Sequence, residues 1–463
     1  MTRPIMVYPF VILCCLMLSI PASYGGLQEL VITFLSQKNP YHIQQATSSK
    51  YLLLSDCISQ NISVPVVHLA HEDFHDIHYW TIFPLLPILS RRHGQNASWF
   101  FFGTEGTHIK PAPMASLLSK FSPDQEVLLG RSLRDREPTI VHHFAFHDDP
   151  GRFAYPDLAA GLLMSVSLLN SLARRYSQLP APPVDFSIDP MHELALFAWR
   201  EGEGPSLSDS GALCVAPAAG CATEQRPPPA CSGELDASSV HYAVKTCAKF
   251  HKSRLPVVRE TWARDAVHVR YYSDEADELY GAISVGVANT ERGHCAKTLR
   301  ILQRSAAVAG LRWLVVADDD TMLSVPRLHQ LLACYSPSEP LLLGERYGFR
   351  TSGGGGAGGY SYITGGGGMV LSVEAVRRLS ASCRCPTADT PDDMQLGLCA
   401  AAAGITLVHS PRFHQARPPD YPAEVLTHSR PVSFHKHWMI DPRAVYRTWL
   451  QEPRPAAERH SEL

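Results

Sequence analysis

The sequence has no surplus of charge of either sign. Across 463 residues, 41 Lys and Arg stand against 44 Asp and Glu, a formal net charge of −3, and like charges form no block. A nucleic-acid backbone is gripped by a basic footprint that releases counterions, so no nucleic-acid partner is expected. The chain also lacks paired Cys-x-x-Cys motifs, which makes zinc the weaker reading of Cys214, Cys221 and Cys231 or of Cys383-Arg-Cys385. The N-terminal apolar run, Ile5 to Ile20, is bracketed by Pro9 and Pro21 and falls short of the roughly 20 residues that cross a bilayer.

What is present is globular material. With 45% hydrophobic and 9% aromatic residues, wholesale disorder is excluded, and at roughly 100–200 residues per domain the length suits two or three cores. Arg3 before the apolar run and small residues after it have the layout of a cleavable secretory signal over residues 1–25, with an uncleaved membrane anchor as the competing reading. No stable membrane span is expected after cleavage. Beyond Cys14 and Cys15, ten cysteines remain, an even number that fits disulfides in an oxidising compartment. The sequons Asn61-Ile-Ser63 and Asn96-Ala-Ser98 agree with luminal exposure. The tail 451–463 ends in His460-Ser-Glu-Leu463, which resembles the Lys-Asp-Glu-Leu retrieval signals; it points to the lumen of the endoplasmic reticulum and to a retrieval receptor as a partner.

From Glu201 to Ser239 the composition turns to Gly, Pro, Ser and Ala, which reads as a linker, 201–239, between domains 28–200 and 240–450. The two halves repeat each other. Trp99-Phe-Phe-Phe102 matches Trp313-Leu-Val-Val316 at an offset of 214, and Leu128-Leu-Gly130 matches Leu342-Leu-Gly344 at the same offset. Gly161 to Val166 matches Gly368 to Val373 at 207, and Asp189-Pro-Met191 matches Asp392-Asp-Met394 at 203. Collinear matches of this kind indicate a duplicated domain. In each half an apolar run of strand length precedes a polar cluster, and helical patterns such as Ala296 to Val308 and Val373 to Leu379 alternate with the runs. The expected fold is α/β, two such domains in tandem, with functional groups at the carboxyl ends of buried strands.

Asp318-Asp319-Asp320 follows the run Leu314-Val-Val-Ala317. Three adjacent carboxylates repel one another unless a cation or solvent relieves them, and a hard divalent metal completed by a diphosphate would do so. A second acidic pair, Asp392-Asp393, follows Pro391 where a helix is expected to start. It can cap that helix, or one of its carboxyls can serve as a general base with a raised pKa, and the residues alone leave both open. Gly365-Gly-Gly-Gly368 sits in an apolar segment, so the backbone at Gly366 and Gly367 is expected to approach a ligand closely; the Gly353 to Gly359 run reads as a flexible loop. His414 offers an imidazole that could serve the metal or could be structural.

Taken with Val244-Lys-Thr246, Cys247, His251, Arg254, Thr261-Trp262, Tyr272-Ser-Asp274 and Gly293-His-Cys-Ala-Lys297, these features resemble glycosyltransferase family 31, the inverting β-1,3-glycosyltransferases that include the Fringe enzymes. The resemblance implies a GT-A-like nucleotide-diphospho-sugar transferase fold in each half. It implies manganese bound by Asp320, by Asp318 through water or sugar, and by His414. It further implies that Thr246, Arg254, Asp274, Lys297 and Asp319 hold the donor, and that Asp393 is the catalytic base with Asp392 beside it. The two-copy layout, Glu345-Arg-Tyr-Gly348 and Phe413-His-Gln-Ala-Arg417 are similar to family members that add glucose from UDP-glucose to O-linked fucose of folded thrombospondin type 1 repeats, so those repeats are the implied partner.

The first copy reads differently at the paired positions. Thr104, Glu105 and Gly106 replace the Asp triplet, and Pro190 replaces Asp393. Residues 28–200 are therefore expected to form a noncatalytic, degenerate copy, and His142, His143 and His147 are not read as a metal set.

Overall fold

The computed structural model describes residues 27–227, 231, 233–353 and 358–453. The signal-like segment, the final retrieval-like residues and part of the Gly353–Gly359 run lie outside the described residues.

Two sheets organise the chain. Across the first, the strand order is Ser208–Asp209, Leu128–Gly130, Leu162–Ser165, Trp99–Gly103, Leu30–Phe34, Val66–Leu69. Across the second it is Thr406–His409, Leu341–Gly344, Met369–Ser372, Trp313–Asp318, Val240–Lys245, His268–Ser273, with Ala282–Ser284 added at the edge. In both sheets the third strand of this order is antiparallel to its neighbours and the other pairings are parallel. The helices correspond as well: Val166–Gln178 and Val373–Ser382 each begin at a serine, Ser165 and Ser372, whose hydroxyl accepts the amide three residues on. The duplicated α/β architecture is thus visible in topology, register and capping.

Both faces of each sheet are covered, which is why the central strands read as unbroken apolar runs. Phe100 and Phe102 enter one core while Trp99 and Phe101 enter another; Trp313, Val315 and Ala317 likewise alternate with Leu314 and Val316. No helix among the described residues is long and apolar enough to cross a membrane.

The linker expectation needs correction. Ser208–Asp209 is the edge strand of the first sheet, and Thr223–Gln225 pairs antiparallel with Thr107–Ile109. Leu213 and Ala222 are fully buried there and Cys214 is bonded to Cys221. Strands of two or three residues built from small side chains carry too little periodicity to be told from a spacer. Further disulfides join Cys231 to Cys334, Cys295 to Cys385 and Cys383 to Cys399, while Cys57 and Cys247 are buried free thiols.

The halves pack on each other. Gln37 exchanges hydrogen bonds with the backbone of His409 at 2.9 and 2.8 Å. His42 meets the Tyr335 hydroxyl at 2.9 Å. Phe186–Ser187 of the first half pairs with Arg346–Phe349, which pairs in turn with Tyr360–Ile363 to make a shared three-stranded sheet.

Candidate active site

The site forms where the strands Val240–Lys245 and Trp313–Asp318 end side by side, with Lys245 opposite Asp318. Lys245 is 5% exposed, and its ammonium lies 3.0 Å from Asp318 Oδ1 and 2.5 Å from Asp392 Oδ2. A buried cation is tolerated only when paired. Burial opposes the charge on Lys245, yet the two carboxylates outweigh it and raise the pKa further. Asp392 also accepts from Thr298 Oγ1 at 2.5 Å. Burial pushes the Asp392 carboxyl up, but Lys245 and Thr298 hold it below the ordinary range.

Asp393 has no such cation. Its Oδ2 accepts the Gly365 amide at 3.2 Å and its Oδ1 the Met394 amide at 2.8 Å; it lies inside the first turn of the helix Asp392–Ala402, whose cap position is Pro391, so neither acidic residue is the side-chain cap. Burial first, and then the charge on Asp392, nevertheless push its pKa up to about 6. One carboxylate fixed in the ionised state beside one poised near neutrality is the arrangement general-base chemistry uses.

The Asp triplet divides its work. Asp319 is 4% exposed and accepts from Thr246 Oγ1 at 2.6 Å and from Arg254 at 2.7 Å; burial raises its pKa against these partners. Arg254 also lies 3.0 Å from Asp320, with its guanidinium stacked 3.8 Å over Phe250. Asp318 and Asp320 turn instead toward His435, whose Nε2 lies 3.8 and 3.1 Å from their oxygens. Burial works against Asp320's charge, but His435 and Arg254 hold its carboxyl well below the usual range.

These three residues fit a divalent metal. One ligand atom from each of Asp318, Asp320 and His435 falls within 4.8 Å of the others. His435 Nδ1 donates to the Gln415 carbonyl at 3.0 Å, which leaves Nε2 as the coordinating nitrogen, the outer-shell arrangement common to metal-bound histidines.

His414, expected as the metal ligand, is not part of this cluster. It is 2% exposed, its ring nitrogen bonds the Ser433 carbonyl at 3.0 Å, and it stacks on Phe434 at 4.7 Å. Burial lowers its pKa to about 4. It is a core histidine, and His435 is the one that joins Asp318 and Asp320, because Ser433–His435 pairs with Thr321–Leu323, setting His435 opposite Thr321. The sequence hint was His435-Lys-His437 ending a short alternating run.

Asp274, Lys297, Thr246 and Arg254 do gather around the same strand ends. Asp274 accepts the Ala248 amide at 2.9 Å, and Lys297 donates to the Thr246 carbonyl at 2.6 Å and to Asn289 at 3.0 Å. Burial favours the neutral form of Asp274, but the Ala248 amide and Ser273 hold its pKa down; burial lowers that of Lys297. The glycines serve the framework. A Cβ on Gly366 would stand 2.4 Å from the His435 ring, and Gly367 donates to Gln415 Oε1 at 2.8 Å and accepts from Ser433 at 2.6 Å. At Gly366 the close approach within the chain is to the His435 ring, while Gly367 lies nearest Thr364, His414 and Gln415, none closer than 3.2 Å to a Cβ there. The sequence alone assigns no role to Lys245, Thr298 or His435.

In the first half the cluster is gone. Thr104 and Thr107 bond Gln225, which pairs opposite Thr107 as His435 pairs opposite Thr321. His142 there lies between Asp135 at 2.6 Å and Asp189 at 3.2 Å and stacks on His192 at 4.0 Å with the rings 8° from parallel. His143 and His147 do not join them. Asp135, His142 and His192 come close enough to suggest a cation, but stacked parallel rings cannot direct their in-plane lone pairs at one ion.

Comparison with known proteins identifies the family. A Fringe-like family profile matches residues 235–454. A Beta-1,3-glucosyltransferase of Mus musculus is 44% identical over 446 residues, 93% of this chain and 88% of that protein. One of Homo sapiens is 45% identical over 429 residues, 92% of this chain and 85% of that protein. Fringe glycosyltransferase of Drosophila melanogaster is 35% identical over 123 residues, 24% of this chain and 29% of that one. A solved galactosyltransferase complex, LgtC, aligns at 11% identity with a TM-score of 0.29 over 46% of this chain and 98% of that chain, too weakly to add to the topology.

Proposed function

The chain belongs to the β-1,3-glucosyltransferase family and is a β-1,3-glycosyltransferase, and from that premise we propose that it transfers glucose from UDP-glucose to O-linked fucose on folded thrombospondin type 1 repeats. The observation that carries the reaction is the contrast within one acidic pair, Asp392 pinned by Lys245 and Asp393 held near neutrality.

Asp393 accepts the proton of the fucose 3-hydroxyl while that oxygen bonds the glucose anomeric carbon. The bond from that carbon to the diphosphate breaks on the opposite face, so the α-linked donor yields a β-linked product and UDP departs with the electron pair. A single displacement needs no covalent nucleophile. Asp318, Asp320 and His435 would hold manganese, which when bound supplies Lewis-acid stabilisation of the leaving diphosphate. Arg254 and Lys297 add fixed positive charge beside it, and Thr246, Asp274 and Asp319 line the donor end. The disulfides support residence in an oxidising compartment, which we take to be the lumen of the endoplasmic reticulum.

The test is to incubate the purified protein with manganese, individual UDP-sugars and a fucosylated thrombospondin repeat, and to identify the product by mass spectrometry. Glucose transfer is expected. Transfer of N-acetylglucosamine or galactose alone would overturn the donor assignment.

A further inference from the structure

One face of the shared three-stranded sheet is made of aromatic rings. Register sets Phe186 opposite Phe349, Phe349 opposite Tyr360, and Tyr347 opposite Tyr362, and cross-strand partners share a face. The rings form a continuous chain, Phe186 to Phe349 at 5.2 Å, Phe349 to Tyr360 at 5.8 Å and Tyr360 to Tyr362 at 6.4 Å. The other face is committed to packing, where Ser361 accepts the Trp80 indole N–H at 3.2 Å and Arg346 covers the Trp80 ring at 4.4 Å.

The shelf is graded. Tyr362 is 5% exposed, beneath the helix Asp392–Ala402, where a Cβ on Gly397 would stand 2.6 Å from its Cβ. Phe349 and Tyr360 are half-buried and Phe186 is 37% exposed. The strand that carries Tyr360 and Tyr362 runs directly into Gly365, whose amide binds Asp393. An acceptor hydroxyl must reach Asp393, so the molecule bearing it leaves the site over adjoining surface. At about 3.3 Å per residue Tyr360 is roughly 16 Å from Gly365 along the chain, and Phe186 lies two strands, about 10 Å, farther across. One sugar does not span that distance.

We propose that this shelf is the acceptor-protein subsite. The noncatalytic half supplies Phe186 to it, to pack on apolar or cationic side chains of the polypeptide flanking the acceptor sugar; this rests on the acceptor reading above. Exposed aromatics of this kind carry interface affinity out of proportion to their number.

The test compares wild type with Phe186→Ser on a fucosylated folded repeat and on a small fucoside. For the variant, KM for the folded repeat rises about tenfold while kcat, KM for the fucoside and KM for the donor each move less than about twofold. Phe186→Tyr restores the wild-type value, and circular dichroism checks that both variants fold. Equal change on both acceptors, or none on the folded repeat, overturns the shelf. An equal rise on a fucosylated oligosaccharide free of protein overturns it too, in favour of glycan binding. Absence of wild-type transfer to either fucosylated acceptor sinks the fucose reading instead.

Discussion

The two copies share a backbone and differ in what that backbone holds. The turn after the central strand is closed by the same bond in each, Thr104 amide to Thr107 Oγ1 and Asp318 amide to Thr321 Oγ1, both 3.0 Å. On that common turn one copy places carboxylates facing an imidazole, and the other places Thr104 and a glycine facing Gln225. A Cβ on Gly106 would stand 2.2 Å from Gln225 Nε2, so the amide occupies the room a side chain would need there. The Asp that survives, Asp189, has changed employment. It caps the helix Pro190–Trp199 and pairs with His142, whereas its counterpart Asp392 is charge-paired with Lys245. The same position is thus compensated by an imidazole in one copy and by an ammonium in the other.

The contrast between Asp393 and Pro190 is tested by Asp393→Asn. Loss of a general base costs roughly 10²–10⁴-fold in kcat. In the wild type, kcat/KM should fall tenfold per pH unit below about 6, because the base must be ionised and its pKa is raised to that region. A variant with wild-type kcat, or an acid limb that persists in it unchanged, would remove Asp393 from the mechanism.

His435→Gln gives the second copy the residue the first copy has at Gln225. Since even outer-shell partners are worth about 10–100-fold in metal affinity, loss of a ligand is expected to weaken manganese activation at least that much. The companion His414→Gln should lower thermal stability and leave the manganese dependence of kcat in place. Reversal of the two results would restore the sequence-based assignment.

That His435 and not His414 lies beside Asp318 and Asp320 separates what is local in this sequence from what is not. The duplication, the strand ends and the acidic pair were legible because each lies within one short segment: a buried run, then carboxylates, then a proline-initiated helix. The place of His435 beside Asp320 was not, beyond the hint in its short alternating run, because it arises from a three-residue antiparallel pairing between segments more than a hundred residues apart. Lys245 was hidden for a related reason. Its meaning comes from Asp318 on the neighbouring strand and Asp392 on a distant helix, and neither contact leaves a periodic trace. The segment 201–239 misled through composition, since small residues there complete a sheet rather than loosen it.

The charge that stayed in the first copy should be visible in stability. Burial disfavours the His142 cation, but the hydrogen bonds its ring donates to Asp135 and Asp189 outweigh it and raise its pKa from 6.5 to about 9. A raised histidine contributes stability that is fully present below about pH 6.5 and is lost as pH climbs to about 9, where the folded chain too releases its proton. Unfolding midpoints in urea should therefore decline over that interval, and His142→Gln should flatten the decline while lowering the midpoint on the acid side. An unaltered slope would show that the retained Asp189 is compensated by another group.

The smallest effect is expected at Glu105, which occupies the position of Asp319. In the second copy that position bonds Arg254 and Thr246, at the end proposed to take the donor. In the first it pairs with His42, which reaches across to Tyr335, and Asn39 beside it bonds Glu339 at 3.1 Å. The position that corresponds to Asp319 is thus part of the joint between the two halves. Glu105→Gln keeps the shape and a hydrogen-bonding oxygen while removing one charge. Donor KM and kcat should then stay within about twofold, with stability falling by about 1 kcal/mol, the scale of one part-buried pair. Asp319→Asn, the same change in the second copy, should raise the donor KM. Were Glu105→Gln to raise it equally, the first copy would still be taking part in donor binding, and the division between a working half and a supporting half would fall.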